Sequence, residues 1–112
     1  MPERSEAELR KQTESGEPFA VYMYTPLCGT CKVAARMLEI VEAMRPAYAP
    51  VRVNVNELPK LAQQWQVESV PCLLHIEGGA VQRRLYAFAS VETVLAFLEP
   101  LYEKTNRKDE NR

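Results

Sequence analysis

The cysteines are the residues of this sequence whose type and spacing could do chemistry. The chain has three, and two of them, Cys28 and Cys31, are separated by Gly29 and Thr30 in a Cys-x-x-Cys pattern. At this spacing the second thiol can attack a mixed disulfide formed at the first, which closes a small ring. The same pair can also supply two ligands to zinc or to an iron–sulfur cluster. The spacing therefore indicates redox or metal chemistry.

The cysteine pair lies where a predicted strand ends and a predicted helix begins. Residues Phe19 to Tyr24 form a short apolar run between prolines, which predicts a strand buried on both faces. From Cys31 to Arg45 the apolar residues recur with the period of a helix, and Pro46 ends it. A helix N-terminus has unpaired N–H groups and the positive end of the helix dipole. We therefore expect a lowered thiol pKa at Cys28 and a reactive rather than a structural pair.

Hydrophobic periodicity places further elements around these two. The capping-box spacing of Ser5 and Glu8 predicts a helix ahead of the first strand. From Val51 to Val55 valines alternate with polar residues, which predicts a second strand with one covered face. Pro59 suits the first turn of a short helix. The helix after the cysteine pair is expected to bury one stripe, which consists of Val33, Met37, Ile40, Val41 and Met44.

The last third of the sequence predicts a hairpin followed by a helix. Strands from Val70 to Ile76 and from Ala80 to Tyr86 are joined by a turn at Gly78 and Gly79. Ser90 is a helix cap, and Pro100 should kink or end the helix that follows. The complete order of elements predicts an α/β fold with a mixed four-stranded sheet flanked by helices.

Length and composition limit the possible functions. A chain of 112 residues fits a single domain, which we expect at residues 1–105, followed by a charged, flexible tail at 106–112. The net charge of −1 argues against nucleic acid as the main partner. No apolar run is long enough to span a membrane. The polar residues 1–17 do not resemble a signal peptide, so we expect a cytoplasmic protein whose odd number of cysteines is not a disulfide framework.

The cysteine pair, the strand–helix–strand unit around it and Val70-Pro71 together resemble the thioredoxin family, in particular small bacterial-type thioredoxin-like proteins. Pro71 lies 40 residues after Cys31. In the family this place holds a cis proline that packs beside the cysteine pair, and the residue before it presents its backbone to the substrate chain. Gly79 matches the glycine of the family's hairpin turn. The resemblance extends from Pro18 to about Tyr102.

The resemblance implies a thiol–disulfide oxidoreductase of the disulfide-reductase type. Cys28 would attack a substrate disulfide and Cys31 would resolve the mixed disulfide. The residues expected to support or bind the substrate are Leu27, Gly29, Thr30, Val70 and Pro71. Substrates would be protein or low-molecular-weight disulfides, and a reductase or a thiol would recycle the pair. No metal or organic cofactor is implied.

The sequence also departs from the family pattern. The departures are Leu27 for a Trp, Gly29-Thr30 for Gly-Pro, Tyr22 for a buried Asp and Arg36 for a helix proline. A phenol is a poor base near neutral pH. Proton removal from Cys31 would then depend on water, on Glu39 or Glu42 if either reaches inward, or on the substrate thiolate. The first strand of full-length thioredoxins is missing, which should leave the Val51–Val55 strand at an edge of the sheet.

Two other classes of function stay open at this point. Cys72 and His75 have the spacing to complete a Cys3His zinc set with the pair, although three residues apart on a strand they should point to opposite faces. An iron–sulfur cluster shared by two chains is a further alternative. The first of these classes is therefore metal binding, and the second is a non-catalytic adaptor on a thioredoxin-like fold. Cys72 itself is either a buried small hydrophobe or a third thiol near the pair, and His75 is expected to be a hydrogen-bonded core or rim residue.

Overall fold

The computed structural model describes the backbone of residues 1–110 and the side chains of residues 1–102. The elements, in chain order, are α1 (Glu6–Glu14), β1 (Phe19–Tyr24), α2 (Gly29–Met44), β2 (Val51–Asn54), α3 (Pro59–Gln64), β3 (Cys72–Glu77), β4 (Ala80–Leu85) and α4 (Val91–Glu110). Every element expected from the sequence is present. The capping box is confirmed, since the Ser5 hydroxyl accepts from the Glu8 amide and the Glu8 carboxylate accepts from the Ser5 amide.

The four strands form one mixed sheet in the order β2-β1-β3-β4. β1 is parallel to β2 and antiparallel to β3, and β3 is antiparallel to β4. This confirms the predicted thioredoxin-like α/β architecture. At the β2 edge, Glu3 forms a single parallel bridge with Arg52. The Arg52 amide donates to the carbonyl of Pro2, and the Arg4 amide donates to the carbonyl of Arg52, each at 2.9 Å. One bridge therefore lies where the sequence predicted only an open edge.

Two hydrophobic cores cover the two faces of the sheet. The first core contains Leu9 of α1, Leu61 of α3 and the β1 side chains of Phe19, Val21 and Met23. The second core contains residues of α2 and α4 together with the intervening β1 side chains, Ala20 and Tyr22. β1 is thus covered on both faces, as its continuous apolar run predicted. The residues that lead to Cys28 therefore follow the carboxyl end of a strand that is packed on both faces.

The buried face of α2 differs from the predicted stripe. The buried residues of α2 are Cys31, Ala34, Leu38 and Val41. Of the predicted stripe only Val41 is fully buried, and Met37 is partly buried, whereas Val33, Ile40 and Met44 are about half exposed. The apolar arc of the helix is wider than the surface that covers it. Periodicity detected the arc but misplaced its covered part.

The last helix also differs from expectation. α4 does not end at Pro100 but continues to Glu110. Leu98 and Leu101, on either side of the proline, are almost completely buried, so packing holds the helix where the missing amide of Pro100 weakens it. Residues 106–110 of the predicted tail continue α4, while residues 111–112 lie outside the described residues. Within the part of the chain that is described, no helix combines the length and apolar character needed to cross a bilayer.

Candidate active site

The cysteine pair occupies the first turn of α2, directly beyond the end of β1. Cys28 is the N-cap of the helix, and its sulfur accepts a hydrogen bond from the Cys31 amide at 3.1 Å. The two cysteines are joined by a disulfide, with Cα atoms 5.1 Å apart. The two residues differ in accessibility, since Cys28 is partly exposed and Cys31 is only 3% exposed. An incoming group can therefore reach Cys28 more easily than Cys31.

Polar groups of the first helical turn surround the Cys28 sulfur. The Thr30 hydroxyl lies 3.3 Å from it, in addition to the amide of Cys31. Gly29 and Thr30 are both exposed, and a Cβ at Gly29 would meet no atom within 4 Å. Leu27, immediately before the pair, is 98% exposed. The surface beside Cys28 is thus open, and the Cys31 amide, which donates to the Cys28 sulfur, favours the thiolate once the pair is reduced.

An apolar groove of about 460 Å³ begins beside the pair. Thr30, Val33 and Met37 of α2 line one side, and Pro71, Tyr86 and Phe88 are among the residues that line the other. The peptide bond between Val70 and Pro71 is cis. Of the residues expected to support the substrate, the structure brings Thr30 and Pro71 to one groove, whereas Leu27, Gly29 and Val70 are not part of its lining.

Tyr86 and Phe88 are residues of the groove that the sequence analysis did not select. They follow the end of β4, where Leu85 pairs with Leu73 next to the start of β3. In an antiparallel pair, the residues after one strand lie beside those before the other. The predicted hairpin register could therefore have placed residues 86–88 beside Pro71.

Tyr22 lies beneath the pair. It is 2% exposed, and its hydroxyl donates to the carbonyl oxygen of Cys31. Burial, followed by the neighbouring Tyr24, raises the pKa of Tyr22 to about 12. A phenol that keeps its proton to this pH, with its hydroxyl engaged by a carbonyl, does not act as a base near neutral pH.

Neither of the two glutamates considered as proton acceptors faces Cys31. Glu39 is exposed, and the Glu42 carboxylate binds the N-terminal ammonium group of Met1 at 3.0 and 3.1 Å. Of the three alternatives for the proton acceptor, the one that required Glu39 or Glu42 to reach inward is therefore not met. A cavity of about 170 Å³ borders both Cys31 and Tyr22, so water or the substrate thiolate stays available as the acceptor.

Comparison with known proteins assigns the family. The family model described as Thioredoxin matches residues 3–100. This chain belongs to the thioredoxin family. It is 48% identical over 73 residues to the thioredoxin-like protein YusE of Bacillus subtilis (strain 168), an alignment that covers 65% of this chain and 69% of the relative. It is 27% identical over 93 residues to the bifunctional thioredoxin reductase/thioredoxin of Mycobacterium leprae (strain TN), covering 82% of this chain and 20% of the relative.

A solved thioredoxin has the same fold. The structure of mitochondrial thioredoxin 3 from Saccharomyces cerevisiae in its oxidized form superposes with a TM-score of 0.74 at 18% identity, over 89% of this chain and 94% of that one. At this identity the likeness shows the thioredoxin fold alone. The family itself is one of thiol–disulfide oxidoreductases, which act on protein disulfides and are recycled by thioredoxin reductase.

Cys72 and His75 do not join the pair. Cys72 is 0% exposed in the first core, and burial raises its thiol pKa to about 11. The His75 ring contacts Glu77 through Nε2 at 3.1 Å and accepts from Arg83 Nε at Nδ1 at 3.0 Å. Among the described residues, no three His, Cys, Asp or Glu side chains are placed to hold one metal ion. The Cys3His set therefore does not form, and His75 is a hydrogen-bonded residue of the sheet, as expected.

Proposed function

We propose that this thioredoxin-family protein reduces protein disulfides, with Cys28 as the nucleophile and Cys31 as the resolving cysteine. The observation that carries the assignment of roles is the unequal environment of the pair. Cys28 is partly exposed and its sulfur accepts a hydrogen bond from the Cys31 amide, whereas Cys31 is 3% exposed. The exposed sulfur can meet a substrate, while the buried one is kept for an attack within the molecule.

The reaction consists of two successive thiol–disulfide exchanges. The Cys28 thiolate attacks one sulfur of the substrate disulfide, which forms a mixed disulfide and releases the other substrate sulfur as a thiolate. The Cys31 thiol then gives its proton to that thiolate or to water and attacks the Cys28 sulfur. The Cys28–Cys31 disulfide forms, and the second substrate thiolate leaves. Two electrons have passed from the pair to the substrate.

The surface around Cys28 supports a polypeptide substrate. Leu27 is 98% exposed and Val33 is 56% exposed, and the apolar groove starts between Thr30 and Pro71. Exposed apolar surface of this kind is typical of protein contact sites. We propose that the substrate chain pairs with the backbone of Val70 in β-fashion, beside Pro71, and passes over the open surface at Gly29. Low-molecular-weight disulfides would use Cys28 without these contacts.

Recycling of the pair requires an external reductant. We propose a thioredoxin reductase for this role, with a low-molecular-weight thiol as the alternative. The Mycobacterium leprae relative, a bifunctional thioredoxin reductase/thioredoxin, supports the first choice. A reductant must be kept reduced, and Cys72 is an unpaired buried thiol, so we place the protein in a reducing compartment, the cytoplasm.

Single-cysteine variants test the roles. We expect Cys28→Ser to abolish the reduction of insulin, because the attacking sulfur is lost. We expect Cys31→Ser to accumulate mixed disulfides at Cys28, because the resolving sulfur is lost. The matched control is Cys72→Ala, which removes the third thiol of the chain, one that does not join the pair, and should keep the exchange reaction. Full activity of Cys28→Ser would contradict the mechanism, and the absence of mixed disulfides in Cys31→Ser would remove the resolving role of Cys31.

A further inference from the structure

Two side chains of the β4 region bind the turn that precedes Val70 and Pro71. The guanidinium of Arg84 donates to the carbonyl oxygen of Trp65 through Nε at 3.1 Å and through Nη2 at 2.8 Å. The hydroxyl of Tyr86 accepts from the Glu68 amide at 3.1 Å and donates to the Gln66 carbonyl at 3.4 Å. We call these two residues, Arg84 and Tyr86, the β4 clamp.

The turn that the β4 clamp binds has an unfavourable backbone conformation at Gln66. α3 ends in a Schellman motif, in which the Gln66 amide donates to Gln63 at 3.0 Å and the Val67 amide donates to Ala62 at 2.9 Å. Gln66 has a φ of +57°, a conformation that usually belongs to glycine. A residue with a side chain stays in this region only where its surroundings hold it.

The β4 clamp supplies hydrogen-bond donors to carbonyl groups at the C-terminal end of α3. The last carbonyl groups of a helix have no partner inside the helix and form the negative end of its dipole. Arg84 brings a positive charge and two donors to the carbonyl of Trp65, which is the C-cap of α3. The hydroxyl of Tyr86 satisfies the next carbonyl, that of Gln66. The side chains of Arg84 and Tyr86, which are distant in sequence, therefore stabilise a turn whose own residues do not favour its conformation.

The same turn determines where Val70 and Pro71 lie. On the far side of Pro71, Cys72 is 0% exposed and starts β3, so that end is fixed by the core. On the near side, only the segment from Trp65 to Ser69 connects Val70 to α3, and the β4 clamp binds this segment at three of its residues. The ring of Tyr86 also lines the groove together with Pro71.

We propose that Arg84 and Tyr86 are positioning residues for the substrate chain, an inference that rests on the proposed function. They hold the turn so that the backbone of Val70 is ordered before the substrate arrives. Ordering a loop in advance lowers the entropic cost of binding. The hydrogen bonds that both side chains form with the turn do not involve Cys28 or Cys31, so we assign the effect to the binding of a polypeptide and not to the exchange chemistry at Cys28.

The test compares a protein and a small disulfide as substrates. The variants are Tyr86→Phe, which keeps the ring in the groove, and Arg84→Lys, which keeps the charge; the matched controls are Tyr48→Phe and Arg10→Lys, outside the site. Insulin reduction is followed with dithiothreitol as the recycling reductant, after subtraction of the rate without protein. Reduction of 5,5′-dithiobis(2-nitrobenzoate) is followed in a single turnover of reduced protein. Amide hydrogen exchange of Glu68 reports the turn directly.

We expect each clamp variant to raise the KM for insulin by about five-fold or more, because each loses at least one hydrogen bond to the turn, with kcat and the rate for the small disulfide unchanged. The Glu68 amide should exchange faster in Tyr86→Phe, and the controls should match the unmodified protein. An unchanged KM for insulin would overturn the inference, even with faster exchange at Glu68. So would rates for insulin and the small disulfide that fall together. If the unmodified protein reduces neither substrate, the proposed function itself fails, and this inference fails with it.

Discussion

At the scale of single residues, the two tyrosines at the end of β1, Tyr22 and Tyr24, keep their protons near neutral pH. Burial raises the pKa of Tyr22 to about 12, and burial together with the hydrogen bond to Glu3 raises that of Tyr24 to about 12. Tyr22 contacts the backbone of Cys31 through its hydroxyl, so it can hold the first turn of α2 against β1 without exchanging a proton at neutral pH. The identity of this residue was visible in the sequence, but its partner was not, because that contact depends on the register between a strand and a helix.

These shifts predict how stability depends on pH. The folded state binds the Tyr22 proton more tightly than the unfolded state, whose tyrosines ionise near pH 10. The contribution is complete below pH 10 and is lost as the pH rises to about 12. We expect the free energy of unfolding to fall across this interval and to fall less steeply in Tyr22→Phe, as measured by urea unfolding at a series of pH values under reducing conditions. Equal slopes for the two proteins would contradict the assignment.

At the scale of elements, α2 shows what periodicity can and cannot determine. The sequence predicted a helix after the cysteine pair with an apolar arc on one side. The structure rotates the covered part of that arc toward Ala34, Leu38 and Val41, and it leaves Val33 and Ile40 about half exposed. Periodicity shows that the apolar residues lie on one side of the helix. Which of these residues are buried depends on where α4 and the sheet lie. Those positions are set by contacts distant in sequence.

The two sides of α2 should respond differently to truncation. Leu38 is 0% exposed, so we expect Leu38→Ala to destabilise the protein by about 2–5 kcal/mol through the lost contacts and the cavity left behind. Ile40 is 49% exposed, so we expect Ile40→Ala to cost less than about 1 kcal/mol. Urea unfolding of both variants measures the difference. An Ile40→Ala variant that loses as much stability as Leu38→Ala would favour the stripe predicted from the sequence.

At the scale of the whole molecule, local patterns predicted the order of the elements and the mixed sheet. The continuous apolar run of β1 predicts a buried strand, and the Gly78-Gly79 pair predicts a hairpin turn; each of these patterns lies within a few residues of sequence. The features that the sequence did not predict are long-range ones. They include the bridge of Glu3 to Arg52 and the continuation of α4 past Pro100. Each depends on an element far away in the chain.

The proposed function requires that Cys28 and Cys31 form a reversible redox pair. The most direct measurement equilibrates the protein in a series of dithiothreitol redox buffers, alkylates the free thiols after acid quenching and denaturation, and determines the mass of the intact protein and its peptides. We expect one two-electron transition, in which Cys28 and Cys31 change from alkylated to protected together while Cys72 is alkylated throughout. A pair that stays alkylated across the whole series, or a disulfide that includes Cys72, would contradict the assignment of Cys28 and Cys31 as the redox pair.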